Sequence, residues 1–124
     1  MNFRLVCVLA WVVTGLFGLA FFLAPQATGA FYGIEDWNPG TTGIARYLGT
    51  AFLFTAAAAY AISPTTDPSL QRRFAGAFSA ASVIGALLSV QLVLSGAVNA
   101  LGWSSVLIYV FFAAAWFFAT RRKA

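Results

Sequence analysis

Four stretches of the chain, residues 5–24, 44–62, 74–94 and 101–120, are almost free of charged side chains. The segments between them collect all four prolines, Pro25, Pro39, Pro64 and Pro68, and all three carboxylates. A helix rises about 1.5 Å per residue, so an apolar run of about 20 residues crosses the roughly 30 Å hydrocarbon core of a bilayer once. A spanning segment must satisfy its own backbone groups, which leaves a helix or a closed barrel. The runs are continuous rather than alternating, which selects helices over barrel strands. The pattern therefore predicts an all-α membrane protein, a single domain over 1–124 built as a four-transmembrane-helix bundle. The short 95–100 connection makes the third and fourth helices an antiparallel pair, and the remaining connections also let neighbours pack.

Composition agrees with the pattern. Sixty-one per cent of the residues are hydrophobic and only 8% are charged, unlike an ordinary soluble domain. The first run is longer than the 7–15-residue core of a signal peptide, so a retained first span is expected. The formal charge of +4 does not point to nucleic acid, because the basic residues flank apolar runs. They act as topology signals. In a four-pass arrangement Arg4, Arg72, Arg73, Arg121, Arg122 and Lys123 share one side, and Arg46 alone occupies the other. Basic residues favour the cytoplasmic face, so both termini are expected inside. Arginine and alanine dominate their classes, which fits a GC-rich bacterial source and placement in the bacterial cytoplasmic (inner) membrane.

The outer loop, 25–43, carries Phe31, Tyr32 and Trp37, whose amphipathic rings suit the headgroup level, beside Glu35 and Asp36. Residues 27–34 read as a short interfacial helix. In the last run Trp103 and Trp116 stand near opposite ends and read as two interfacial belts, with lipid the default surrounding for its aromatics.

Little in the chain carries chemistry. Without a histidine there is no axial imidazole for haem, no histidine-containing zinc site and no imidazole proton shuttle. Glu35, Asp36 and Asp67 fall in loops, whereas proton-coupled carriers place such groups within the membrane. No phosphate-cradling glycine loop or nucleophile elbow occurs. No enzymatic activity and no cofactor are expected. Cys7, the single cysteine, lies inside the first run and reads as a packing residue.

Two constellations remain. Arg46, followed by Tyr47, opens the second run. There a guanidinium either anchors at the interface, paired with Glu35 or Asp36, or presents its fork to a lipid phosphate, a carboxylate or another subunit. Gln91 and Asn99 belong to a similar depth and, with Trp37 and Trp103, offer a polar cluster for a lipid or quinone head. In the third run Ser82, Gly85 and Ser89 share a narrow arc at about 100° per residue, a small-residue face for close helix approach.

Pro25, the run Phe31-Tyr32-Gly33-Ile34, Gly43 with Arg46 and Gly49, and Asn99 with Gly102-Trp103 resemble the small four-helix bacterial membrane proteins of the DoxX-like group. The resemblance implies four helices with both termini inside and brings no catalytic residues. The leading expectation is an accessory or structural subunit of a larger membrane complex, in lipid transport or respiration, with other membrane subunits and lipids as partners and no nucleic acid. The alternative is a protein that binds a small molecule, lipid or quinone, or carries it, on its own.

The charge distribution makes a direct prediction. In a Cys7→Ser background, Asp36→Cys should react with a membrane-impermeant maleimide in intact cells, and Thr66→Cys only after the cells are opened. The reverse pattern would invert the orientation.

Overall fold

The computed structural model describes residues 1–121. Arg122 and Lys123 of the basic cluster lie outside the described residues. Five helices follow one another: α1 (Phe3–Leu23), α2 (Pro25–Phe31), α3 (Pro39–Ile62), α4 (Pro68–Leu94) and α5 (Gly102–Ala119). No strand occurs among the described residues. Three of the helices, α1, α4 and α5, are long and apolar enough to cross a bilayer, and the chain is a helical membrane protein. The fourth long helix, α3, has 24 residues but is diluted by Arg46, Tyr47, Thr50, Thr55 and Tyr60.

Three of the long helices begin earlier than hydropathy alone indicates. α3 starts at Pro39 rather than residue 44, and α4 at Pro68 rather than residue 74. Polar caps set these starts. Asn38 accepts a hydrogen bond from the Thr41 N–H and Asp67 from the Ser69 N–H, while proline fills the first helical position, where its missing N–H costs nothing. Pro25 likewise fills the first position of α2, there without a side-chain cap, so three of the prolines start helices and only Pro64 sits in a turn. The apolar run marks what lipid can cover; the cap marks where the helix begins.

α1 packs along α3 and α4 along α5, and the two hairpins meet through α1 and α5. At the α1–α3 seam the backbones nearly touch. A Cβ on Gly49 would lie 2.7 Å from the Phe22 amide nitrogen and 2.8 Å from the Gly18 carbonyl oxygen. A Cβ on Gly85, at the α4–α5 seam, would lie 2.5 Å from the Tyr109 ring. Beside it, the Ser79 hydroxyl donates to the Ala113 carbonyl across the same seam at 2.8 Å. Ser82 and Ser89 are buried, and their hydroxyls return to carbonyls of their own helix, Phe78 and Gly85. The Ser82–Gly85–Ser89 arc thus supplies slim, internally satisfied surface rather than cross-helix bonds.

All four long helices converge at one end, around Trp116, which is 1% exposed. Phe3, Phe74 and Phe78 meet its ring edge-on at 5.9, 5.6 and 5.5 Å, and Phe74 stacks on Phe78 at 4.1 Å. Val6, Cys7, Ala10, Ala59 and Ala75 close the layer. The expectation that Trp116 belongs to a lipid-facing belt is therefore corrected. Its helix is apolar on every face, so periodicity could not say which aromatic turns inward. Trp103, at the other end of α5, is exposed.

Where a Cβ would strike backbone rather than a flexible side chain, the helices must part. Gly49→Val should therefore lower stability by about 1–3 kcal/mol. Gly76→Ala, with nothing within 4 Å of the new atom, should be neutral or stabilising by up to about 1 kcal/mol. Reversible unfolding in mixed micelles measures both.

Candidate functional site

The other end of the molecule is organised by α2. Both α2 and α4 finish with a glycine in the left-handed region, Gly33 at φ 76° and Gly96 at φ 77°. At each, paired backbone bonds close the helix. Gly33 N–H reaches the Ala30 carbonyl and Ile34 N–H the Gly29 carbonyl; Gly96 N–H reaches Val93 and Ala97 N–H reaches Leu92. A side chain at either glycine would disfavour this ending.

The two endings are clasped together by Asn99. Its backbone N–H donates to the Tyr32 carbonyl at 2.9 Å, and its Nδ2 donates to the Phe31 carbonyl at 3.0 Å. Its Oδ1 accepts from the Leu101 N–H, which helps start α5. One amide side chain thus links the α2 turn to the α4–α5 turn. Tyr32, held by this clasp, stacks on Phe21 of α1 with ring centroids 6.3 Å apart.

Trp37 forms the second fixed point. Its indole Nε1 donates to the Ile34 carbonyl at 3.0 Å, and its ring lies so close over Gly29 that a Cβ there would overlap it. Asn38 follows as the cap of α3, so the indole and the first turn of α3 are set by consecutive residues. Thr28 ties the opposite wall, its hydroxyl donating to the Ala20 carbonyl at the end of α1.

Between these elements opens a cleft of ≈ 430 Å³, lined by Gln26 of α2, Trp37, Asn38, and Pro39, Thr42, Gly43 and Arg46 of α3. Arg46 is exposed there. Among the described residues, none lies in an ion pair or side-chain hydrogen bond with its guanidinium, and neither Glu35 nor Asp36 lines the cleft. The arrangement offers a planar cationic fork, two amides, a hydroxyl and an indole face on one concave surface. Chemically it suits a small anionic or polar head.

Of the residues singled out from sequence, Trp37 and Arg46 come together in this cleft. Tyr47 is 79% exposed beside it and does not line it. Asn99 is occupied as a clasp. Gln91 stands exposed on α4, outside the cleft lining. Gln26, Asn38 and Thr42 were not singled out. Asn38 before Pro39 is a legible cap signal, but nothing in the order of residues says that Gln26 faces it across the loop.

No protein-family model matches the chain, and no curated protein and no solved structure matches it.

Removing the clasp should loosen this end without unfolding the other. Asn99→Ala should lose the two side-chain bonds, about 1 kcal/mol each. It should also speed hydrogen exchange at the Gly33 and Ile34 amides, which depend on the α2 ending, and leave exchange around Trp116 unchanged.

Proposed function

We infer that this chain is a four-span protein of a bacterial cytoplasmic membrane, both termini inside, that binds the anionic head of a small molecule or lipid in its outward-facing cleft. The observation that carries the reading is Arg46. It is a cation with no protein partner among the described residues, on the wall of a cleft whose other polar lining groups are neutral.

For the fourth span, α3 is 24 residues long, about 36 Å at the helical rise. Its one charged residue, Arg46, is the eighth of the 24, from where a long guanidinium side chain can snorkel toward the interface. The DoxX-like resemblance and the side-by-side packing of α1 with α3 support the same arrangement. Binding follows from charge and geometry. A guanidinium fork grips phosphate or carboxylate with two parallel bonds, Gln26 and Asn38 add amide donors, and the Trp37 ring shields one side from water. No group in the cleft is suited to bond-breaking chemistry, so the reading is a binder or carrier rather than an enzyme.

A second reading, the accessory subunit, draws on Gln91. It is an exposed amide on a helix surface otherwise formed by Leu87, Leu88 and Leu94, and an amide facing lipid seeks a hydrogen-bonding helix. A membrane partner lost on Gln91→Leu would favour this reading.

The test of the leading reading is extraction in mild detergent followed by mass spectrometry of bound anionic species. A hydrogen bond to a charged group is worth about 1.5–3 kcal/mol, so Arg46→Ala should cut retention by about tenfold or more. Retention unchanged by Arg46→Ala would overturn the reading.

A further inference from the structure

A second concavity lies on the α1–α3 pair. It is an apolar groove of ≈ 380 Å³ between the two helices, with Gly15 and Ala56 at its base, Leu19 and Ala57 on its walls, and Trp11 and Tyr60 at one end. The base is low because both residues there are small; a Cβ on Gly15 would sit 3.8 Å from that of Ala56. The end is closed by an edge-to-face contact of Trp11 and Tyr60, with centroids 5.9 Å apart and planes at 83°.

The groove and the cleft open on the same side of the helix pair. On α3, Arg46, Leu53 and Ala57 fall within one narrow arc at about 100° per residue, while Phe52 and Ala59 turn the other way, toward the aromatic contacts and the core. On α1, Trp11, Gly15 and Leu19 lie opposite the core residues Val6 and Ala10. Continuing along that face of α1 leads past the exposed Phe22 and Leu23 to Gln26 in the cleft wall. The cationic cleft and the apolar trough thus lie along one face of the α1–α3 pair, with Leu53, packed against Gly18, between them.

We propose that they are two parts of one site for a membrane lipid with a phosphate headgroup. The phosphate sits between Arg46, Gln26 and Trp37, and one hydrocarbon chain lies along the groove to the Trp11–Tyr60 pair. This rests on the reading of the cleft as an anion site. Charge selects the occupant, because the cleft on the same face carries a cation, Arg46, without a protein partner among the described residues, and a partner helix filling only the trough would leave it unmatched. Length selects the chain. Arg46 to Tyr60 is about 21 Å along the helix axis, more than half of the roughly 30 Å hydrocarbon core, so a long chain fills the site and a short one leaves its far end empty.

The test is native mass spectrometry of the purified protein with added phosphatidylglycerol or phosphatidylcholine, each with dioctanoyl or dioleoyl chains. Ala57 is exposed, so Ala57→Trp fills the trough without entering the core, and Leu107→Trp, at an exposed position on α5, controls for the added bulk. The wild type and Leu107→Trp should retain dioleoyl phosphatidylglycerol over the dioctanoyl form and over phosphatidylcholine. Ala57→Trp should lose that chain-length preference, binding the dioleoyl form about tenfold less while keeping the dioctanoyl form. Arg46→Ala should lose phosphatidylglycerol of both lengths.

Unchanged dioleoyl binding by Ala57→Trp overturns the groove assignment and leaves the anion cleft standing; unchanged binding by Arg46→Ala overturns the cleft itself. Loss of folding by Ala57→Trp is covered by a second measurement. A dibrominated chain on phosphatidylglycerol should quench a tryptophan component that Trp11→Phe removes, and failure to do so overturns the proposal. A disulfide between two copies through Ala57→Cys, formed in a Cys7→Ser background, would assign the trough to a second copy and equally overturn it.

Discussion

In hydrocarbon an apolar side chain gains nothing by leaving its solvent, so helices stay together only where their shapes bring many atoms into contact. The architecture follows from where the sequence permits that contact. At the α1–α3 seam Gly49 meets the backbone of Phe22 and Gly18, and α3 runs against α1 although it is the one long helix not apolar enough to count among the candidate spans. At the α4–α5 seam Gly85 receives the Tyr109 ring and Ser79 adds the one side-chain hydrogen bond found between two spanning helices among the described residues. The small residues let pairs form. The Trp116 layer then joins the pairs, because its large rings fill the space where four helices converge and no glycine is needed.

The opposite end solves a different problem. A helix that stops leaves carbonyl groups unpaired, and near the bilayer each needs a partner. The endings of α2 and α4 use glycine at the left-handed position, and Asn99 takes the carbonyls of Phe31 and Tyr32. The same bonds that satisfy the backbone fix the loop leading to Trp37. The shape of the cleft is thus a by-product of helix termination. Trp37 lies over Gly29 because α2 ends where it does, and the first turn of α3 follows at once because Asn38 caps it.

The helices were legible in sequence because hydropathy over twenty residues is a strong signal, and the Asn-Pro and Asp-Pro pairs at 38–39 and 67–68 show in physical terms why they extend beyond the apolar runs. The small-residue arc at Ser82, Gly85 and Ser89 was legible for the same reason, since its period is that of a helix. Which aromatic lies inside was not legible. Phe112 and Trp116 are buried while Phe111, Phe117 and Phe118 are exposed, yet all five sit on a helix without a polar face to break the symmetry. The site was half legible. Arg46 stood out as the lone basic residue on its side, but the role of Asn99 as a clasp and the presence of Gln26 in the cleft depend on contacts between segments far apart in the chain.

Arg46 is also the residue whose placement is hardest to explain by structure alone. It is the eighth residue of α3, beyond the first turn in which the helix dipole acts, so neither a cap nor the dipole calls for a cation there. An anion in the cleft would give the guanidinium fork a partner and the side-chain amides of Gln26 and Asn38 an acceptor. A cation without a partner among the described residues would then be matched. That match is the physical argument for reading the cleft as a binding site rather than as a gap between helices.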